Sequence, residues 1–366
     1  MKKITISFSL LLYLLLSFSL TAQQLDLSKF NGLKFRNIGP AGMSGRVTAI
    51  DVNQKDPRIM FVGTASGGLW RSTDRGISWK PVFDKQKVLS IGAIAIDQHN
   101  PDIIWVGTGE GDPRNTLSSG YGLYRSLDGG DTWKLMGLEK TRNIYRIIVS
   151  PDNSNVVYVG AIGSPWGASV HRGLYRTEDG GKTWKKILYV NNQTGVADMV
   201  MDPSNPEKLF VAMWQFRRWP WYFKSGGPGS GLYVTYNGGD HFTKITAKDG
   251  LPKGELGRIG LAVAASNPKV VYALVESKKN GLYRSDDGGK TWKLRSTKNI
   301  GNRPFYFSNI YVNPKDENNI YTLFTRVNQS IDGGKTFQPL ISRNIHPDHH
   351  SWWISPVDPK FMMDGN

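Results

Sequence analysis

Apolar runs of five or six residues recur in pairs along this chain, each pair split by a short polar turn. Val47-Thr48-Ala49-Ile50-Asp51-Val52 precedes Ile59-Met60-Phe61-Val62-Gly63, and Ile91-Gly92-Ala93-Ile94-Ala95-Ile96 precedes Ile103-Ile104-Trp105-Val106-Gly107. The couplet returns at residues 144–149 with 156–160 and at 259–263 with 270–274. Runs this short and this rich in Ile and Val predict strands, and turns such as Asn100-Pro101, Asn205-Pro206 and Asn267-Pro268 separate them. Behind each couplet comes a hairpin, clearest in Gly281-Leu282-Tyr283-Arg284-Ser285-Asp286-Asp287-Gly288-Gly289-Lys290-Thr291-Trp292. Asp accepts hydrogen bonds from nearby backbone amides, Gly takes the positive φ of a tight turn, and Thr-Trp leads out extended.

The hairpin recurs at Asp74, Asp128, Asp179, Asn237, Asp287 and Asp332, with spacings of 54, 51, 58, 50 and 45 residues. A period of this length points to a repeat architecture. Two strands plus a hairpin make four antiparallel strands per unit, so the expected fold is all-β, a β-propeller. Six complete blades are expected near 46–84, 89–137, 143–189, 195–246, 257–295 and 305–340. A β-solenoid is the alternative, but its coils are shorter than these units. Residues 350–355 and 360–366 read as the first two strands of a partial seventh blade. Leu33–Pro40 reads as an outgoing strand placed to complete it and hide its edges. Because the chain stops inside a repeat, it is expected to be part of a longer polypeptide.

The pattern Ser/Thr-x-Asp-x-Gly-x-Thr-Trp/Phe resembles the Asp-box (BNR) repeat of sialidases, sortilin-type receptors and xyloglucanase-type propellers. Phe35–Val47, Val62–Trp70 and His346–Trp353 strengthen the likeness. With them the chain is similar, over roughly residues 30 to 366, to the N-terminal propeller of exported bacterial sortilin/VPS10-like proteins labelled BNR-repeat glycosyl hydrolases. It is also similar to the first propeller of xyloglucanase-type glycoside hydrolases. That second resemblance implies a cleft between two propellers with acidic residues from both sides, of which this chain supplies one side. The box acids themselves are read as structural, since turn chemistry accounts for them.

Residues 1–22 read as a secretory signal, with Lys2 and Lys3 ahead of an apolar stretch and Ala22 at the cleavage point. Residues 23–32 then form a linker and 33–366 the propeller, with no membrane span once the signal is removed. The absence of Cys excludes disulfides and lipid attachment through Cys. A net charge of +16 is spread over repeating Lys positions, which fits a solvated face; no nucleic-acid motif accompanies it. It also favours anionic surfaces or acidic polysaccharide at low salt.

Three consecutive blades have enlarged connections on the face opposite the boxes: 108–120, 163–171 and 215–224. Trp166, Trp214, Trp219, Trp221 and Tyr222 are candidates to stack on sugar or peptide, with Arg114, Arg217 and Arg218 to take carboxylates or other acceptors. Packing against a second propeller or domain is the competing reading. Arg46, Arg142, Asp198, Arg258 and the His346/Asp348/His350 cluster are expected at the central channel. Alternate residues of a strand share a side, so His346, Asp348 and His350 suit a metal, but structural hydrogen bonding is favoured and neither metal nor cofactor is expected. Catalytic candidates are Glu110, Asp112, Asp198 and Glu255, because glycoside cleavage needs paired carboxyl groups. Two functions stay open: an exported recognition module for polysaccharide, peptide or a neighbouring domain, and a glycoside hydrolase or half of one.

Overall fold

In a computed structural model, each repeat folds into one antiparallel sheet whose strand order follows the chain. The structure describes Asp26, residues 45–340 and residues 345–366. The expected signal, the expected linker apart from Asp26, and the expected N-terminal strand at 33–40 lie outside the described residues. The first sheet runs Val47–Val52, Met60–Thr64, Leu69–Ser72, Lys80–Pro81. Five further sheets of the same plan follow among the described residues, and then a two-stranded sheet, Ser351–Ile354 with Met362–Gly365.

The first strands of successive sheets pack on one another in chain order: Val47–Val52, Ile91–Ile96, Ile144–Ser150, Thr194–Asp202, Ile259–Val263 and Ile310–Asn313. Trp352 and Ile354 of the two-stranded sheet pack on Tyr321, Leu323 and Val327 of the sheet before it. The Val47 amide donates to Asn366 O at 3.2 Å, which brings the last sheet against the first.

The approach of neighbouring sheets rests on small residues. Gly63, Gly107 and Gly160 occupy matching second-strand positions, and a Cβ there would collide with Ile91, Ile144 and Val196 of the next inner strand. Aliphatic side chains of one sheet thereby fill the notch left by the sheet before, giving a continuous core between layers.

At the outer corners the box chemistry repeats almost unchanged. In the second sheet Ser126 Oγ donates to Asp128 Oδ1 at 2.7 Å and accepts the Gly130 amide at 2.8 Å. The Thr132 amide and hydroxyl donate to Asp128 Oδ1 and Oδ2 at 2.9 and 2.5 Å. Gly129 and Gly130 both take positive φ, 67° and 92°. Asp74, Asp179, Asp287 and Asp332 sit in the same arrangement. Asn237 keeps the bonds from Thr235 and the His241 amide, at 2.9 and 3.0 Å. His241 replaces the hydroxyl residue, so the bond to the second oxygen has no counterpart there.

The corner also clasps the sheet before it. Arg71, Arg125 and Arg176, each in a third strand, donate to Gly129 O, Gly180 O and Gly238 O of the next corner at 2.6, 2.5 and 2.5 Å. Arg295 does the same for Gly333 O at 3.1 Å. Trp133 and Trp184 reach back, donating their indole N–H to Val82 O and Met136 O at 2.8 Å.

Two expectations follow. Gly107→Val forces a branched side chain into the Ile144 contact and is expected to cost about 1–3 kcal/mol, read from the urea midpoint; an unchanged midpoint would contradict the notch. The Thr132 hydroxyl and amide hold the Asp128 carboxyl at about 2, below its ordinary 3.8. Burial draws Asp287 upward, but the Thr291 hydroxyl and amide outweigh it and leave that carboxyl at about 2 as well. A depressed carboxyl stabilises the fold fully above the unfolded value near pH 4, and that contribution is lost as pH falls toward 2. Asp287→Ala is expected to cost about 1–2 kcal/mol at pH 7, the low end for a multiply bonded acceptor because one side meets water. Its stability curve should run parallel to the unsubstituted protein above pH 5 and converge with it near pH 2.

Candidate functional site

The inner strands meet around charged side chains. Arg46, just ahead of Val47–Val52, makes a two-pronged pair with Glu110, Nε to Oε1 at 2.6 Å and Nη2 to Oε2 at 2.7 Å. Burial pushes the Glu110 carboxyl up, more than the Arg46 bond draws it down. Arg258, ahead of Ile259–Val263, donates to Asp112 Oδ1 at 3.1 Å and to Phe305 O at 3.1 Å, over the rings of Tyr145 and Trp214. Asp112 and Arg258 are both fully buried. The His350 ring completes the cluster: one nitrogen meets the Tyr306 hydroxyl at 3.1 Å and the other faces Asp112 Oδ2 at 3.5 Å. Burial lowers the pKa of His350. Arg146 pairs with Asp198 at 2.6 Å, and Asp198 also accepts the amides of Met199 and Leu261. These two line a cavity of about 470 Å³ with Asn309 and Tyr311.

Above this cluster lie the enlarged connections, and one of them is more regular than its composition suggested. The second strand of the fourth sheet continues through Asn205–Trp219 and turns back as Tyr222–Ser225. Alternation along this ladder divides its side chains. Phe216, Arg218 and Phe223 face the body: Phe216 stacks on Trp214 at 4.2 Å and Phe223 meets Phe305 at 5.1 Å. Arg218 donates to Asn115 Oδ1 at 2.6 Å and Pro113 O at 2.9 Å, and its amide donates to Pro165 O at 2.9 Å, so one residue ties all three connections together. Arg217, Trp219, Tyr222 and Lys224 take the other face. Trp219 and Tyr222 stack at 5.9 Å. Trp221 at the tip is 82 % exposed and Tyr222 58 %.

The structure therefore groups the sequence candidates unevenly. Trp166 is partly exposed, beside the hairpin, and Arg114 is half-buried over the Tyr306 ring. Trp214 departs from the expected ligand contact: it is 0 % exposed, with its indole N–H donated to Ser225. Arg218 likewise departs from carboxylate capture, because its guanidinium is occupied by loop acceptors. Arg142 is exposed, and its neighbour Asn143, bonded to Glu110 O at 2.6 Å, holds the place expected of it. His346 is exposed and Asp348 half-buried, while His350 is buried, so the three do not form one ligand set. Among the described residues no group of three His or acidic side chains suits a metal. Glu255 is exposed and lines a cavity of about 170 Å³ with Lys244 and Leu251. Sequence reasoning missed Tyr145, Tyr306, Asn309 and the buried Arg172, which carry no local motif.

Residues 121–252 match the Sortilin-Vps10 model, described as sortilin, neurotensin receptor 3, and residues 69–82 and 283–294 match BNR/Asp-box repeat models. In fold, the chain superposes on the GH74 enzyme of Niastella koreensis with a TM-score of 0.66 at 18 % identity, covering 91 % of this chain and 53 % of that one. It is an Asp-box β-propeller. This propeller also superposes on YCF48 bound to D1 peptide, with a TM-score of 0.56 at 14 % identity, over 91 % of this chain and 95 % of that one. In sequence it is 24 % identical to a xyloglucanase of Paenibacillus sp. over 271 residues, 70 % of this chain and 22 % of the relative. A xyloglucanase of Acetivibrio thermocellus is 26 % identical over 198 residues, 47 % of this chain and 23 % of that protein. The match thus spans less than a quarter of either xyloglucanase. Among the described residues of the propeller, no helix is long and apolar enough to cross a membrane.

The buried pair gives a direct test. Asp112→Ala leaves Arg258 charged and without its carboxylate, at an expected cost of about 3–5 kcal/mol. Asp112→Leu combined with Arg258→Met should recover at least half of that in denaturant unfolding. Equal loss in the single and double variants would show that the charges are not coupled.

Proposed function

We propose that this chain is an exported recognition propeller that binds polysaccharide through the hairpin 205–225 and the connections beside it. The observation that carries the reading is a division of labour between neighbouring groups. Glu110, Asp112 and Asp198 are each consumed by an arginine and shielded from solvent, whereas Trp221 and Tyr222 project into it beside Trp219 and Trp166. Glycoside cleavage asks for one carboxyl group able to give up a proton and another free to act on the opposite face of a sugar. Exposed aromatic rings on a rigid hairpin instead offer the apolar faces on which pyranose rings stack. The signal-like sequence of residues 1–22 supports export.

A second reading is favoured by the matched xyloglucanases: the chain is one side of a hydrolase whose remaining carboxyl group lies on another domain. Calorimetric titration of a glycan panel, with reducing-end detection on the same samples, separates the two. Binding without new reducing ends is expected, weakened at least tenfold by Trp219→Ala with Trp221→Ala. New ends that vanish in Asp198→Asn or Glu110→Gln would replace the first reading with the second.

A further inference from the structure

The outward face of the hairpin carries an electrostatic conflict. Arg217 and Lys224 stand directly opposite each other in the ladder, on the face that also bears Trp219 and Tyr222. Like charges directly opposite on a two-stranded ribbon repel. Nothing nearby relieves them: among the described residues neither makes an ion pair or hydrogen bond to a carboxylate, and the one contact of the Arg217 guanidinium with a side-chain ring is to Trp219 at 5.4 Å. Its Nε is shielded from solvent and has no acceptor.

Behind this face lies a third cation. Arg172 is 0 % exposed and is held by Gln193 O, Ser164 O and Gly167 O at 2.9, 2.5 and 3.1 Å, with its Nε unpaired. Among the described residues no acid pairs with it. Burial first, and then the charge of Arg217, draw its pKa down to about 10, so it remains charged at neutral pH. An unpaired buried charge is costly. Gly167 of the loop that covers Arg172 also lies against Arg217, which makes the two guanidinium groups neighbours across one turn of chain.

We propose that this face binds an acidic polysaccharide, one uronate-type carboxylate bridging Arg217 and Lys224 while the adjoining sugar ring rests on the aromatic tip. The assignment deepens the glycan-recognition reading above and rests on it. A planar guanidinium matches a carboxylate in two-point contact, and an anion placed there converts the Arg217–Lys224 repulsion into attraction. Carboxylates repeated along a stiff chain of pyranose rings supply both the charge and the flat faces that the strip displays.

The test compares polygalacturonate with its fully methyl-esterified form, which keeps the backbone and removes the charge, by calorimetric titration at two salt concentrations. At low salt the acid form is expected to bind at least tenfold more tightly, and the preference should shrink as salt rises. Arg217→Gln should bring the ratio of the two affinities to within about threefold, and Lys224→Gln, on the exposed strand, should do so independently; matching thermal unfolding midpoints confirm that both variants fold. Equal affinity for acid and ester, or preference for uncharged xyloglucan, would overturn the inference and leave glycan recognition standing. A dextran sulfate arm separates carboxylate from sulfate chemistry, tighter binding of the sulfate counting against it. Binding only to an acidic peptide or to phosphatidylglycerol vesicles would overturn both readings.

Discussion

The propeller depends on one carboxylate arrangement repeated at its rim. Each box acid gathers a hydroxyl, an amide and a second hydroxyl from its own loop, as Asp128 does with Ser126 and Thr132. At five of the six corners that fixes two successive glycines in a left-handed turn, with Arg75 in place of the first at the remaining corner, and four corners aim a glycine carbonyl at an arginine of the preceding sheet. A local turn therefore becomes an attachment point between layers. The sheets need such a clasp because each exposes two apolar faces and none can bury them alone. The fourth sheet shows how far the device can erode: Val234 stands where the first, second, third and fifth sheets place arginine, and its own corner carries Asn237, yet the ladder and the core around Phe210 and Leu232 persist.

At the axis the problem is reversed. Inner strands converge, and polar side chains there lose water. The structure answers with pairs, Arg46 with Glu110, Arg258 with Asp112 and Arg146 with Asp198, each drawing its partners from different sheets. Removing one member leaves a buried charge, so such pairs hold sheets in register even where their net stabilisation is small. The same geometry buries these carboxyl groups. What remains open to solvent is the hairpin above them, positioned by Arg218 and by the aromatic contacts of Phe216 and Phe223.

Much of this was legible beforehand. The spacing of the boxes and the paired apolar runs announce a radial array of four-stranded sheets, since turn chemistry and alternation are local properties. The grouping of the three enlarged connections on one face also follows from counting strands. Other assignments were not legible. Trp214 and Trp221 are both aromatic residues of the same segment, yet one is a core residue and the other faces water, because the ladder continues farther than its loop-like composition suggests.

Order along the chain by itself determined the repeat, the box corners and the all-β propeller, because each needs only residues within a few positions of one another. Tertiary structure alone decided which charges meet: Arg46 and Glu110 are 64 residues apart, and Arg258 and Asp112 are 146. Neither pair has a local motif, and their attraction exists only once the strands that carry them have closed around a common axis and excluded water.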